Sequence, residues 1–397
     1  MTLEIRAIKT DEIEEFRQVI SNAFLGSTDP LWSSPPEYSL CVVNNNVIAS
    51  TSILYPVTMC LDGNDIPVAA VCAVVTQPFY RRRGYLRKLI THHFEHIHEQ
   101  SEQPMAILWA GRASLYQRYS YALVTARNAY NIEPRYLEFG TNNIAPHILR
   151  EIGDNEFSLM EELYNSFKKE RTGYLHRTPV LWQRNVLEPV PKGTVLNKIV
   201  YEEDGKSYGY LVYSIETISL PERRQRTLVI HDFIWLKPSA YQAMWSYLHA
   251  MDHVHKILWK NVPTDDPLPC LLLEPRMLNT TSSDGIMARI IDVEQALKLR
   301  HYPTTGILSF EIIDDLCSWN SGSWQLEASG FGSSIRRTNA SPQLRIPIST
   351  LAMIIFNRIS ATEANRMGRL DVFEHDALPI WDSVMRTSYR PFCAEHF

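Results

Sequence analysis

The residues best suited to chemistry in this chain fall in two neighbouring stretches. The first is VCAVVTQPFYRRRGYLRKLI, residues 71–90. An apolar, β-branched run ends at Pro78. The turn after it holds Arg81, Arg82, Arg83, Gly84 and Tyr85, and Leu86, Leu89, Ile90, Phe94 and Ile97 then recur at helical spacing. A helix start offers unpaired N–H groups and the positive end of the macrodipole. A turn of successive N–H groups cradles a diphosphate. Gly84 removes the Cβ that would block close approach, and the arginines add fixed positive charge for phosphate oxygens. An Arg-x-x-Gly by itself fits a solvated basic helix start. With a buried strand and its terminal proline in front of it, the pattern points to a diphosphate site. The second stretch is Leu115-Tyr116-Gln117-Arg118-Tyr119-Ser120-Tyr121. A tyrosine hydroxyl, ordinarily titrating near pH ~10, is protonated at neutral pH and can give a proton to a leaving group.

The elements that must position these residues can be read from periodicity. LEIRAIK alternates as a strand, Thr10 or Asp11 can cap the next helix, and Ile13, Phe16, Ile20 and Phe24 mark its apolar face. Residues 39–60 alternate around a turn at Asn44-Asn45-Asn46, and LDGN at 61–64 is a second turn. The run from Ile66 to Pro78 reads as a strand buried on both faces. A helix beginning near Arg83, a short buried strand over 105–111 ending at Gly111, a helical turn and a strand YALVTARNAYNI complete the first region. Gly111 suits a close approach of backbone to a ligand. After Pro134 a comparable order returns: helices over 156–170 and 178–187, strands over 195–216, a strand RTLVIHDFIWL and a helix over 238–252. From Asp292 a helix, a hairpin-rich stretch and closing helices read as an α+β domain. The chain as a whole is expected to be α+β, with domains at 1–133, 134–291 and 292–397.

Composition narrows the function. The 397 residues carry 44 acids and 39 bases, a formal net charge of −5, which argues against a nucleic-acid partner. Six cysteines without a CxxC pair read as reduced thiols of a cytoplasmic protein. The N-terminus has no apolar core of a signal peptide, and no apolar run is long enough to span a membrane. His92, His93, His96 and His98 cluster, and His92 with His96 has a spacing that can hold zinc. HExxH is absent, so the cluster reads as a solvated or partly packed helix face, with no metal expected. No GxSxG occurs, which argues against an acyl-enzyme hydrolase.

The 71–90 stretch resembles the R/Q-x-x-G-x-G/A loop of GNAT acetyltransferases, with Leu86 at the final small position. Together with LYQRYSYA, AMWSYLHAMDHVHKILWKNVPTDDPLP, DGIMARIIDVEQALKLRHY and SATEANRMGRLDVFEHDALPIWDS, it is similar to the Eis (enhanced intracellular survival) family over essentially the whole chain. The resemblance implies a GNAT domain binding acetyl-CoA, a second GNAT-like domain without the coenzyme loop, a C-terminal sterol-carrier-like domain, and a homo-hexamer. It implies that the strands at 71–77 and 105–111 splay apart around pantetheine. Position by position, Tyr116 matches the family's general acid, and Arg81, Arg82 and Gly84 match its pyrophosphate contacts. Val74 and Thr76 match strand positions beside the pantetheine, and Phe24 matches a substrate-pocket aromatic. The terminal carboxylate, here on Phe397, matches its general base. His396 stands where the family carries an acid, Gly26 where some members do, and Gln117 and Ser120 where the family has glycines.

These readings converge on acetyl transfer from acetyl-CoA to a primary amine, whether aminoglycoside-like, a polyamine or a lysine. Tyr116 is the expected acid and the Phe397 carboxylate the expected base, with Arg83 and Tyr85 in the cofactor turn and His396 beside the substrate. A different reading is a lipid- or sterol-carrier-like binding protein with a vestigial acetyltransferase domain, suggested by the last third of the chain.

Overall fold

Two-residue turns set the strand pairing. Asn45 and Asn46 (φ 50° and 63°), Asp62 and Gly63 (49° and 98°), and Asp204 and Gly205 (52° and 72°) each place two left-handed residues at a hairpin tip. That is the backbone twist tight antiparallel hairpins need, and Asn, Asp and Gly tolerate it best. The computed structural model describes residues 3–24, 36–140, 148–153, 155–188, 194–219, 224–330 and 332–397. Gly26, one of the expected substrate-side positions, lies outside them. The chain divides into two compact units: Met1–Thr125 with Gly285–Ser388 and Phe397, and Ala126–Asp284 with Tyr389–His396.

The first unit holds two sheets. Strands β1 (Leu3–Ala7), β2 (Ser39–Asn44), β3 (Val47–Leu61), β4 (Asn64–Thr76), β5 (Met105–Leu108) and β6 (Ala122–Leu123) belong to the first. Helix α1 (Ile13–Ala23) buries Phe16, Val19 and Ile20 against Ile48, Ile53, Ala73 and Val75. Helix α2 (Tyr85–Gln100) buries Ile90, Phe94 and Ile97 against Ala69, Val71, Ala106 and Leu108. A short helix, α3 (Ala113–Gln117), comes after β5.

The second unit's sheet contains β7 (Ala126–Ile132), β8 (Ile148–Glu151), β9 (Leu196–Glu203), β10 (Lys206–Ser219), β11 (Arg224–Trp235), β12 (Lys256–Pro263) and β13 (Thr281–Asp284), in the order β13-β7-β12-β11-β10-β9-β8. Helices α4 (Phe157–Lys168), α5 (Pro179–Trp182) and α6 (Pro238–His249) accompany it. Tyr241 and Trp245 of α6 pack against Phe233 and Trp259 of the sheet in an aromatic core.

Strand β14 (Met287–Ile290) returns to the first sheet, whose order is β1-β2-β3-β4-β5-β14-β6. The remaining strands β15 (Gly306–Ile313), β16 (Gly322–Ser329), β17 (Gly332–Arg337), β18 (Leu344–Pro347) and β19 (Asp371–Val372) form a five-stranded sheet ordered β17-β16-β15-β18-β19. Helices at Ile348–Ile355, Ala361–Arg366 and Ala377–Val384 complete this α+β domain.

Contiguous domains at 1–133 and 134–291 do not describe the strand pairing. The run YALVTARNAYNI is broken at Val124-Thr125. Its first half, β6, pairs with β14, and its second half, β7, joins the other sheet between β13 and β12. Thr125 Oγ1 accepts the Ile286 N–H at 2.8 Å at this crossing. Alternation along a strand fixes which face is apolar, not which sheet the strand enters. Other bounds shift by less. Helix α2 starts at Tyr85 rather than Arg83, and β5 ends at Leu108, so Gly111 lies past the strand. The segment expected to be helical over 178–187 is α5 and then a π-turn, Gln183–Leu187.

Within the first unit, β14 is tied to the segment after β15 by a fully buried ion pair. Arg289 Nη2 donates to both Asp314 carboxylate oxygens at 2.7 and 2.8 Å. Asp314 also accepts from Asn320 Nδ2 (2.9 Å) and from the N–H groups of Leu316 and Cys317. Removing one member of a buried pair strands the other charge. Asp314→Ala is expected to destabilise the first unit by about 3–5 kcal/mol, read as a lowered urea midpoint, while Asp314→Asn, which keeps part of the hydrogen-bond set, loses less.

Candidate active site

The site is built on an irregularity in β4. Opposite Thr51–Ile53 of β3, the partners jump from Val75 to Cys72, so β4 carries one extra residue there. Ala73 takes φ +51° to make this bulge. The extra residue inverts the alternation of side chains. Cys72 and Ala73, although adjacent, both turn toward the α1 cluster, whereas Val71 and Val74 turn toward the cluster that holds Tyr116.

Beyond the bulge β4 loses its other neighbour. Its parallel pairing with β5 consists of Ala69↔Ala106 and Ala70↔Ile107, and β5 ends one residue later. Ser50 Oγ donates to the Val75 carbonyl at 2.6 Å and Thr51 Oγ1 to that of Ala73 at 3.0 Å, which puts both carbonyls on the β3 side. Strand alternation then turns the backbone of Val74 and Thr76 to the open edge, where an extended ligand can pair as an added strand.

The turn between β4 and α2 has the geometry of an anion cradle. Arg82 (φ 61°) and Gly84 (φ 80°) are both left-handed, and alternation of this kind aims successive N–H groups into one concavity. Gly84 is the N-cap of α2, and no side chain caps that helix start. A Cβ at Gly84 would meet no protein atom within 4 Å. Glycine is needed there for its φ, and the protein leaves space on that side. The Arg81 Nε donates to the Thr76 carbonyl at 3.2 Å, Arg83 lies over the Tyr80 ring at 5.4 Å, and Arg82 has no side-chain partner among the described residues. Tyr85 opens α2 directly after Gly84. Its side chain is buried beside Leu40, Val42 and Leu89 and its hydroxyl accepts from Asn44 Nδ2 at 3.0 Å, so only its backbone remains for a ligand.

Tyr116, on α3, packs in the cluster of Ala69, Val71, Ala106 and Leu108, with Val74 and Leu86 at its margin. The strand that splays and the tyrosine after it therefore share one apolar wall. Burial, and secondarily Tyr119, pushes the Tyr116 hydroxyl up to about 12. Its ring meets that of Tyr121 edge-on at 5.9 Å. Tyr121 is sealed in the core with its hydroxyl unpartnered, and no side chain or backbone group engages the Tyr116 hydroxyl among the described residues either.

Other expected residues are less concentrated. Phe24 closes α1 and is 45% exposed, and Gly111 lies in the loop before α3. Phe397 is buried and groups with the first unit, which contains Tyr116. His396 groups with the second unit, where Nε2 of its ring accepts from Arg127 Nη1 at 3.1 Å and its N–H donates to Asn185 Oδ1 at 2.8 Å. Burial, then Arg127 and Arg184, pulls its imidazole down to about 4, so it is a neutral anchor of the tail. The histidine cluster disperses. His93 is buried at 2.5 Å from Ser52 Oγ and held down to about 3 by burial, His92 and His96 stack at 6.5 Å, and His98 stacks on Trp319 at 4.1 Å. Two features carry no signal in the sequence. Ala73 has none of the marks of a turn residue, and Arg177, which binds the tail residue Glu395, is an ordinary arginine in a loop.

Residues 4–124 match the family described as acetyltransferase (GNAT) domain, residues 173–290 match a second family of the same description, and residues 293–394 match the sterol carrier protein domain. The chain is 24% identical over 412 residues to an uncharacterized N-acetyltransferase of Streptomyces avermitilis, covering all of both chains. It is 27% identical over 245 residues to the N-acetyltransferase Eis of Mycobacterium tuberculosis, covering 60% of this chain and 58% of that one. Among solved structures, a GCN5-related N-acetyltransferase from Anabaena variabilis superposes with a TM-score of 0.87 at 22% identity, and Eis1 from Mycobacterium abscessus with 0.85 at 23%. Both superpositions cover the full length of each chain and share this fold. No helix among the described residues is long and apolar enough to cross a membrane.

The cradle makes a kinetic prediction. Loss of one charge-assisted contact, about 1.5–3 kcal/mol, should raise the KM for acetyl-CoA roughly ten- to a hundredfold in Arg82→Ala. Steady-state kinetics at saturating amine reads this directly. A rise confined to the KM of the amine would place Arg82 elsewhere.

Proposed function

Because the chain is a GNAT-type N-acetyltransferase of the Eis-like family, we propose that it transfers acetyl from acetyl-CoA directly to a primary amine in its first GNAT fold, with Tyr116 as the acid and the Phe397 carboxylate as the base. The observation that carries this reading is the conjunction in one fold of a splayed β4, a glycine-capped arginine turn and a buried tyrosine. Backbone N–H groups and arginines of the turn suit the diphosphate, and the open edge at Val74 and Thr76 suits the amides of the pantetheine arm.

The chemistry then balances with few groups. The acceptor ammonium loses a proton to the Phe397 carboxylate. The amine nitrogen forms a bond to the acetyl carbon, the carbon–sulfur bond breaks, the thiolate takes the Tyr116 proton, and the second proton lost by the nitrogen as it becomes an amide returns the tyrosinate to its neutral form. Developing negative charge on the thioester oxygen is stabilised by backbone N–H at the open edge, as in an oxyanion hole. A hydroxyl pushed to about 12 is a proton donor over the whole range in which amines are acetylated. The acceptor is an amine of the aminoglycoside, polyamine or lysine class. His396 and Gly26, in place of acids, lower the negative charge available for a polycation.

Tyr116→Phe is expected to lower kcat by about 10²–10⁴-fold, the usual worth of a positioned acid, with little change in the KM for acetyl-CoA. Unchanged turnover would remove Tyr116 from the mechanism. The sign of the pH effect is fixed by the same residue. A donor must be protonated, and the raised value keeps it so beyond pH 10, where an ordinary tyrosine is half ionised. The kcat profile should therefore show no alkaline fall up to about pH 10.5. A fall centred near pH 9–10 in folded enzyme would contradict the assignment.

Deleting Phe397 moves the terminal carboxylate back by one residue, about 3.8 Å, and should depress kcat to a similar degree. Full activity of the shortened chain, measured as release of free coenzyme A, would dismiss the terminal base.

A further inference from the structure

The second GNAT fold repeats the splayed strands of the first and fills them with its own chain. In it, β11 and β12 pair in parallel only from Thr227↔Lys256 to Ile230↔Trp259, and then run on to Trp235 and Pro263 paired with β10 and β7 but no longer with each other. These strands occupy the places that β4 and β5 hold in the first sheet, with α6 coming after β11 as α2 comes after β4. The connection before the helix is different. Only Leu236 and Lys237 separate β11 from α6, and Pro238 removes the first N–H of the helix. The Lys237 ammonium lies 3.6 Å from the Tyr208 ring centroid and 3.5 Å from a Glu203 carboxylate oxygen. No glycine turn is left to cradle a diphosphate.

The inner part of the gap between the strands is occupied by Phe392–His396 of the tail. The Phe392 ring joins the core with Val212, Ile234, Phe167 and Tyr174, and its N–H donates to the Thr172 carbonyl at 2.9 Å. Asn261 Nδ2 of β12 donates to the Ala394 carbonyl at 3.5 Å. Beside the tail a void of about 30 Å³ remains, lined by Asp232–Ile234, Trp259, Asn261, Phe392 and Ala394 among others, an order of magnitude below the ~300 Å³ of a small ligand pocket, whereas the outer end of the gap, at Trp235, Lys237, Pro263 and Tyr389, stays open over about 480 Å³. Gly173, at φ +97°, lies against this tail. A Cβ there would come within 2.5 Å of the Phe392 carbonyl oxygen.

The most costly contact lies nearest the end. Glu395 is fully buried and accepts from Arg177 Nε (2.9 Å), Tyr164 Oη (2.7 Å) and the Leu175 N–H (3.2 Å). On its other side Arg177 Nη1 donates to Asp232 Oδ2 at 2.5 Å, and Tyr210 Oη donates to the same oxygen at 2.6 Å. Apolar packing would hold a tail more cheaply, because buried ion pairs rarely repay their desolvation. What such a network supplies is register. A tail slipped by one residue would leave Arg177 and Asp232 in the interior with one carboxylate missing. Asn185 then fixes the last residue but one, donating to the His396 carbonyl and accepting its N–H.

We propose that the groove of the second GNAT fold is a dock for the chain's own tail, and that Glu395 is a positioning residue that sets the register of the terminal carboxylate. The proposal rests on the reading of that carboxylate as the catalytic base. One residue, His396, separates Glu395 from the terminal Phe397, so the register of Glu395 limits where the base can lie.

The test uses the full-length enzyme with Glu395→Gln, which keeps volume and removes the charge, with Phe397 deletion as the reference, and with amide exchange of residues 389–397 alongside kinetics. The expected result for Glu395→Gln is a kcat lowered about ten- to a hundredfold, the scale of a ~1 Å misplacement. The KM for acetyl-CoA should stay within about twofold, and exchange should quicken in the tail but not in β4 or α2. Asn185→Ala, outside the buried charges, should give the same split with a smaller loss, and decides the matter if Glu395→Gln does not fold. A loosened tail with wild-type kcat, in a background where deleting Phe397 abolishes turnover, overturns the positioning role and leaves the base intact. Full turnover after deletion of Phe397 overturns the base. Tail amides that exchange freely in the unaltered enzyme overturn the dock itself.

Discussion

Backbone hydrogen bonding in β4 is the constraint on which the first unit depends. A strand in the middle of a sheet normally satisfies both edges. Here β3 satisfies one edge throughout, while β5 satisfies the other only at Ala69 and Ala70. The Ala73 bulge takes up the strain of this departure. A non-glycine residue at φ +51° is unfavourable by about 1–2 kcal/mol, and it survives because α1 and the β3 hydroxyls of Ser50 and Thr51 hold both sides of it. The return is an edge of unpaired peptide groups inside the protein, bounded by Val74, Leu86 and Tyr116. Unpaired peptide groups at depth demand a partner, and in the function proposed above the extended amides of a pantetheine arm are that partner.

The same strand geometry occurs twice, and the connection leaving each strand decides its use. After β4 come Gln77 to Gly84, with two left-handed residues and an uncapped helix start. After β11 come two residues and a proline. The first connection exposes N–H groups to an anion; the second exposes almost none. Both gaps nonetheless need filling, since the facing edges of β11 and β12 no longer pair with each other beyond Ile230 and Trp259. In the second unit the chain itself supplies the filling, through Phe392, Ala394 and the buried charge of Glu395.

Buried charge recurs where the fold has to choose one arrangement among similar ones. Arg289 with Asp314 fixes β14 against the segment after β15, and Arg177 with Asp232 and Glu395 fixes the tail. Apolar contacts tolerate sliding, whereas a buried carboxylate accepts only the alignment in which its partners meet it.

Local chemistry was legible in the sequence. Asn45-Asn46 and Asp62-Gly63 announced their turns because few residues adopt φ > 0. The arginines before Gly84 announced a helix start, and apolar spacing gave α1, α2 and α6 within a few residues. Three GNAT and sterol-carrier domains were legible as a resemblance, carried by motifs in order. Pairing at long range was not. Val124-Thr125 is an ordinary dipeptide in an alternating run, and only the competition between two sheets sends β6 one way and β7 the other. Ala73 looks like any residue of a buried strand, and nothing in the sequence shows that the Tyr85 ring turns inward to Leu89. Sequence determines what each segment can form, through backbone sterics and periodicity. Which strand it pairs with, and which buried charge it must satisfy, is a property of segments hundreds of residues apart, as with Arg177 and Glu395, and is settled only when the chain is folded.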